Sequence, residues 1–119
     1  MALLNVQGEL RALLEDALGV TVRTSVPDPR PATLVVVRRT GGARQDRLID
    51  APTVTVTAYA PTEAEAEELM ERVDAAMADL PFASGYCKAS PQSMRSDYDL
   101  VGRSPRWIAT YELKTYQPK

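Results

Sequence analysis

The sequence contains no histidine. That removes the commonest general base, the side chain that titrates nearest neutral pH, and most zinc-ligand sets. It holds a single cysteine, Cys87, so no disulfide can close within the chain, and a reducing compartment suits it. No run of about 18 apolar residues occurs, so no membrane-spanning helix is expected. Met1-Ala2-Leu3-Leu4 lacks the basic start and cleavage motif of a signal peptide. Aromatic residues make up only 6% of the chain and none interleaves with its arginines, so a stacking groove for single-stranded nucleic acid is unsupported. The formal net charge of -2 gives no bulk attraction to nucleic acid or anionic lipid. Nor is there a phosphate loop, because Gly41-Gly42 runs into Ala43-Arg44 without the lysine and helix such a loop requires. These absences leave no catalytic residue, no metal-ligand set and no cofactor site to name.

What is present is ordinary globular sequence. The 119 residues, 45% hydrophobic and 25% charged, suit one domain over residues 1–119. Residues 48–80 organise it. Thr53-Val54-Thr55-Val56-Thr57-Ala58-Tyr59-Ala60 alternates strictly, with Val54, Val56, Ala58 and Ala60 on one face, the pattern of a half-buried strand. Pro61-Thr62 then changes the period. Thr62 is placed as an N-cap, Glu65 completes a capping box, and Glu63 suits the positive end of the helix dipole. Ala66, Leu69, Met70, Val73, Ala76, Met77 and Leu80 recur at helical spacing until Pro81. The face away from that stripe carries Glu67, Glu68, Glu71, Arg72 and Asp74, with Glu68 and Arg72 spaced as an i,i+4 pair.

On either side of this unit the pattern is less regular. Residues 2–18 read as a first helix with Leu3, Val6, Leu10, Leu13, Leu14, Ala17 and Leu18 as its apolar stripe and Gly19 just past its end. Residues 20–24 read as a short strand, and Pro27-Asp28-Pro29-Arg30-Pro31 as a stiff connection. Leu34-Val35-Val36-Val37 reads as a strand buried on both faces, with a hairpin turn at residues 40–43 and a polar return strand over residues 44–49. Residues 86–89 suggest a strand, residues 90–96 a loop, and residues 97–102 an irregular crossing segment. Residues 106–116 read as the last strand, with Trp107, Ala109, Tyr111 and Leu113 on one face. Short hairpin connections predict an α+β fold, a mostly antiparallel sheet of four to six strands with two helices packed on one face.

Two charged features remain. Asp97 and Asp99 read as solvated acids in a loop or a local turn contact. Arg38, Arg39, Arg44 and Arg47 gather around the expected hairpin, where they suit docking to an acidic neighbour, a phosphate contact, or protection of an exposed edge by charge.

The ordered set of these pieces resembles the tail terminator proteins of long-tailed, non-contractile (siphovirus-type) phages, over essentially the whole chain. The residues that carry it are the leucine-rich helix ending in Leu18-Gly19-Val20, the segment Val26-Pro27-Asp28-Pro29-Arg30-Pro31, and Val35-Val36-Val37-Arg38-Arg39-Thr40-Gly41-Gly42. The join from Asp50-Ala51-Pro52 through Ala60-Pro61-Thr62 into the second helix, and a closing Pro105-Arg106-Trp107 strand, complete it. The resemblance implies a structural virion protein rather than an enzyme. Such a protein forms a ring, expected to be a homo-hexamer, that caps the tail tube, stops its polymerisation and joins it to the head connector. Its partners would be further copies of itself, the tail tube protein and the head connector or neck proteins, with DNA passing through the lumen without specific binding. It would sit at the tail–neck junction of the virion and in the host cytoplasm during assembly. Arg38, Arg39, Arg44, Arg47, Glu67, Glu68 and Glu71 are then the candidates for the subunit or tail-tube interface. Head-completion and connector proteins of the neck, and a small ligand-binding α+β domain, are the alternatives.

Overall fold

The Thr–Val alternation is the middle strand of the structure. The computed structural model describes residues 6–27, 29, 31–44, 49–79, 86–99 and 104–116. Its elements in chain order are α1 (Val6–Leu18), β1 (Val22–Arg23), β2 (Leu34–Arg44), β3 (Ile49–Tyr59), α2 (Glu63–Ala78), β4 (Tyr86–Asp99) and β5 (Ser104–Tyr116). The five strands form one sheet in the order β1-β2-β3-β5-β4. β1 runs parallel to β2 and every other neighbouring pair is antiparallel. The fold is therefore α+β, with a mixed but mostly antiparallel sheet.

One face of the sheet carries the main core. The register aligns Val35 with Ala58 and Val37 with Val56, and then Val56 with Ala109 and Val54 with Tyr111. Directly opposed residues share a face, so this row of side chains meets Leu10, Leu14 and Leu18 of α1 and Leu69, Met70, Val73 and Met77 of α2. All are buried, and each large apolar side chain contributes roughly 1.5–3 kcal/mol on burial. Both helices thus pack on one face, as the sequence predicts. β2 is apolar on both faces for the same reason it reads so: Leu34 and Val36 form a second small cluster with Tyr59 on the opposite side.

The helix ends follow their local chemistry. The Thr62 hydroxyl oxygen accepts the Glu65 N–H at 3.2 Å, with Thr62 in extended backbone. α1 ends at Gly19, whose φ of 69° lies in the left-handed region and whose N–H donates to the Glu15 carbonyl at 2.9 Å. α2 closes on Asp79, whose N–H reaches the carbonyls of Ala76 and Met77; Leu80 and Pro81, the expected end of this helix, lie outside the described residues, as do residues 2–5 of the expected first helix.

Three expectations are corrected. The turn at residues 40–43 does not form, because β2 continues to Arg44 through a register shift between Arg39 and Gly41, and pairs Gly42 with Pro52. The partner strand β3 holds this stretch extended, with the Thr40 and Thr55 hydroxyls 3.1 Å apart across the irregularity. Second, the loop over residues 90–96 and residues 97–99 of the segment after it belong to one strand, β4, with register shifts between Tyr86 and Lys88 and between Pro91 and Ser93, while residues 100–102 of that segment lie outside the described residues. Asp97 and Asp99 lie in that strand opposite Arg106 and Ser104 rather than in a loop. Third, Asp74 is half-buried rather than solvent-facing, and Arg72, though exposed as expected, does not pair with Glu68. Arg72 donates to the Leu18 carbonyl at the end of α1 instead of pairing with Glu68, and Asp74 accepts the Tyr111 hydroxyl at 2.8 Å.

The helices do not cover the whole sheet. α1 packs on β1 and β2, while α2 packs on β3 and β5 and reaches β4 only at its margin. Lengthwise, the 16 residues of α2 span about 24 Å, whereas the 11 residues of β3 span about 36 Å. α2 starts beside the end of β3 and runs back along it, so the β2–β3 end with Arg44 projects roughly 12 Å past the helix layer.

Candidate functional site

The arginines among the described residues do not converge on a tip. Arg38 and Arg39 lie in the body of β2, and Arg44 is its last residue, so about 17 Å of extended strand separates Arg39 from Arg44. Arg47 lies outside the described residues. Arg38 is exposed on the sheet face away from the helices, opposite Thr55. Arg39 is half-buried on the helix face. Its backbone N–H donates to the Gln7 side-chain oxygen at 2.9 Å, and its Nε donates to the Gly41 carbonyl at 3.2 Å. Gln7 therefore occupies a backbone donor on the outer edge of β2, beyond the point where the two-residue β1 stops covering it.

The acidic residues of α2 also separate into two groups. Arg72 marks the flank that faces α1 and Asp74 the flank that faces β5. Glu71 and Glu67 stand three and seven residues before Asp74, which puts them on the β5 flank at helical spacing. Glu68 stands four residues before Arg72 and joins it in a shallow depression with Val20, Thr33 and Glu65 on the α1 side. Glu67, Glu68 and Glu71 are all exposed. The structure thus places Arg44 at one end of the sheet, Arg38 on its back, and Glu67 and Glu71 over its β4 side.

A feature that sequence reasoning missed lies beside Glu67 and Glu71. Met94 of β4 is opposite Ala109, and Ser96 is opposite Trp107, so all four lie on the helix face. α2 stops short of them. Met94 is 39% exposed and Trp107 is half-buried, with its indole nitrogen covered and, among the described residues, without a hydrogen-bond acceptor. The result is a step: a floor of Met94, Ser96 and Trp107, and a wall formed by the acidic flank of α2. Met94 and Trp107 are apolar, but nothing in the spacing of residues 90–96 shows that they share a face, which follows only from the pairing of β4 with β5.

Tyr111 is the titratable group whose surroundings matter most to the fold. Burial raises its phenol well above the ordinary value, and the hydrogen bond to Asp74 and the charge of that carboxylate raise it further. It remains protonated and holds α2 to β5. No group of three or more His, Cys, Asp or Glu side chains is arranged to hold a metal ion among the described residues, and no helix among them is long and apolar enough to cross a membrane. A second shallow depression, about 260 Å³, lies between the helices against Ala17, Leu18, Arg72, Ala75, Ala76 and Asp79, and it holds no convergent set of polar groups.

Compared with known families, residues 3–102 match the model of a family described as phage tail termination protein. The match runs from the first helix to just past β4 and ends before β5. No curated protein matches the chain.

Proposed function

Because the chain belongs to the phage tail termination protein family, we propose that residues 1–119 act as one domain that assembles into a hexameric ring on the end of the tail tube. The family assignment makes it a structural protein of the phage tail, and therefore of the virion. The ring would block further addition of tube subunits and offer its other face to the head connector, with DNA passing through the lumen. No enzymatic step is needed for that role.

The observation that supports this reading beyond the family match is the placement of charge. Arg38 and Arg39 lie in the body of β2 and Arg44 ends it, while Glu67, Glu68 and Glu71 lie on α2. A surface that is basic at one place and acidic at another favours head-to-tail contacts between identical copies, and such contacts close into a ring when the rotation between them permits. Each exposed ion pair contributes only about 0–1 kcal/mol, but the same contact recurs at every interface. The β2–β3 end at Arg44, carried past the helix layer, is the part that would reach the tube.

The test is the double variant Arg44→Glu with Arg47→Glu. Its melting temperature should stay within a degree or so of the parent, because charges at this distance from the core contribute little to folding. Tails assembled with it should be longer than normal or fail to join heads, and added salt should weaken attachment of the parent protein in the same direction. Normal tails from the variant would remove the arginine end from the interface.

A further inference from the structure

The two outer edges of the sheet direct matching backbone groups outward at the same level. On β2, the Val35 N–H donates to the Thr21 carbonyl at 3.0 Å and the Arg39 N–H donates to Gln7. The residues opposite Ala58 and Val54 therefore turn their backbone groups away from β3. In an antiparallel pair this direction alternates along the strand. Pro52 and Asp50 stand two and four residues before Val54 on β3, so their partners Gly42 and Arg44 point outward as well. β1 covers only Val35 and Val36, and no described strand lies beyond Gly42 and Arg44. The opposite edge is β4. Pro91, opposite Tyr111, has no N–H, which places its nitrogen on the open side of an edge strand. Leu113 and Thr115 stand two and four residues after Tyr111, so their partners Ala89 and Tyr86 share that outward direction. Across the sheet, Arg39, Val54, Tyr111 and Pro91 form one row, and Arg44, Asp50, Thr115 and Tyr86 form another, with Gly42 and Ala89 midway between. In the first row both edges are blunted, by Gln7 on Arg39 and by the proline itself. Beyond it, towards Arg44 and Tyr86, neither device continues.

We infer that Gly42 and Arg44 on the β2 edge of one copy pair with Ala89 and Tyr86 on the β4 edge of a second copy of this chain, so that the sheet continues from copy to copy. Three observations point to a second copy. β2 and β4 run in opposite directions, so carrying the sheet across the junction makes an antiparallel pair. Gly42 stands level with Ala89 and Arg44 with Tyr86, so the outward groups meet without a shift along the strands, and each opposed pair exchanges both its N–H···O bonds. The extra residue of β4, Cys87, lies between the two pairs and would remain a bulge. A foreign strand would satisfy one edge, whereas a further copy satisfies both, in a head-to-tail contact that repeats. A closed ring then leaves no open edge at this level. The sheet here projects past α2, so that helix does not obstruct the approach. This rests on the ring reading and deepens it: it gives the lateral contact to backbone groups and leaves the Arg44 side chain for the tube.

Within one chain β3 and β5 separate Gly42 from Ala89 by about 14 Å, well beyond the reach of a disulfide, so any bond between cysteines at these positions joins two copies. In a Cys87→Ser background, Gly42→Cys and Ala89→Cys are made singly and together. Each is oxidised alone and with assembled tube and run on a denaturing gel, while negative-stain images record whether rings form. The doubly substituted chain should give a covalent ladder extending beyond the dimer. Each single variant should stay monomeric on the gel, and an equal mixture of the two should give the dimer and nothing larger. Separately, Ala89→Pro removes an outward N–H without touching a bond to β5. It should keep the parent's melting temperature and need about tenfold more protein to assemble. Ala89→Ser, which keeps the N–H, should assemble like the parent. If rings form while the doubly substituted chain stays uncrosslinked, or if Ala89→Pro assembles like the parent, this pairing is overturned and the ring reading stands. Single variants that dimerise as readily as their mixture would mean that like edges meet, which overturns the head-to-tail pairing. If the parent forms no ring with or without tube, both fail.

Discussion

β3 and β4 flank the same strand, β5, and are of comparable length, yet they could hardly differ more in what holds them. β3 lies between two strands and beneath α2, with Val54, Val56 and Ala58 fully buried. β4 has β5 on one side and, among the described residues, no strand on the other. Its described side chains Ser93, Met94, Arg95 and Ser96 are all exposed. It carries a proline and two bulges, features that blunt an edge against indiscriminate pairing. One strand is organised by burial within the chain, and the other is extended because β5 pairs with it. The difference separates the part of the molecule that must fold from the part available to a neighbour.

The sharpest way to break this comparison is to place the same charge on each strand. Val56→Asp buries an unpaired carboxylate in the middle of the sheet and should cost several kcal/mol, enough to abolish cooperative thermal unfolding at ordinary temperatures. A parent-like melting temperature for that variant would mean the Val56–Ala109 register is wrong. A smaller effect comes from β5, which the two strands share. Tyr111→Phe removes the hydrogen bond to Asp74 and should cost about 1 kcal/mol at neutral pH. The pH dependence has a definite sign. The folded-state value of Tyr111 is raised, so its contribution is fully present below the unfolded value of about 10 and is lost as the pH rises beyond it. The parent should therefore lose more stability than Tyr111→Phe on going above about pH 10, as followed by chemical denaturation at each pH. Parallel curves would show that Tyr111 is not held in its neutral form. The smallest effect is expected on β4, where Ser93→Asp should change stability by less than about 0.5 kcal/mol. A large loss there would mean that β4 is covered by something within the same chain.

The same contrast explains how much was legible in the sequence. β3 and α2 were readable almost residue by residue, because each has a buried side and an exposed side, and burial writes a period of two or of 3.6 into the residue types. The cap at Thr62 and the end of α1 at Gly19 were readable because they rest on local backbone chemistry. β4 was not, since its described side chains, Ser93 to Ser96, are exposed and display no buried period, and Pro91, Ser90 and Ser93 argue locally for a loop. The Gly41-Gly42 pair misled in the same way: its tolerance for turns is real, but β3 opposite it decides where the hairpin turns. For the candidate site, the residue types were identified and their grouping was not. Arg38 and Arg39 proved to be remote from Arg44, Glu68 parted from Glu67 and Glu71, and the floor of Met94 and Trp107 came into view only with the pairing of β4 and β5. Where a surface forms by the meeting of distant segments, sequence spacing gives its members without their arrangement.

The account centres on termination of the tail tube, and the length of tubes tests that most directly. Purified tube protein would be polymerised with and without this protein, and the lengths and ends measured by negative-stain electron microscopy. The account predicts that the protein appears as a ring on one end of each tube and that tubes carrying it stop growing when fresh tube subunits are added, while bare tubes lengthen. Tubes that continue to grow from an end occupied by the protein, or that never bind it, would contradict the account.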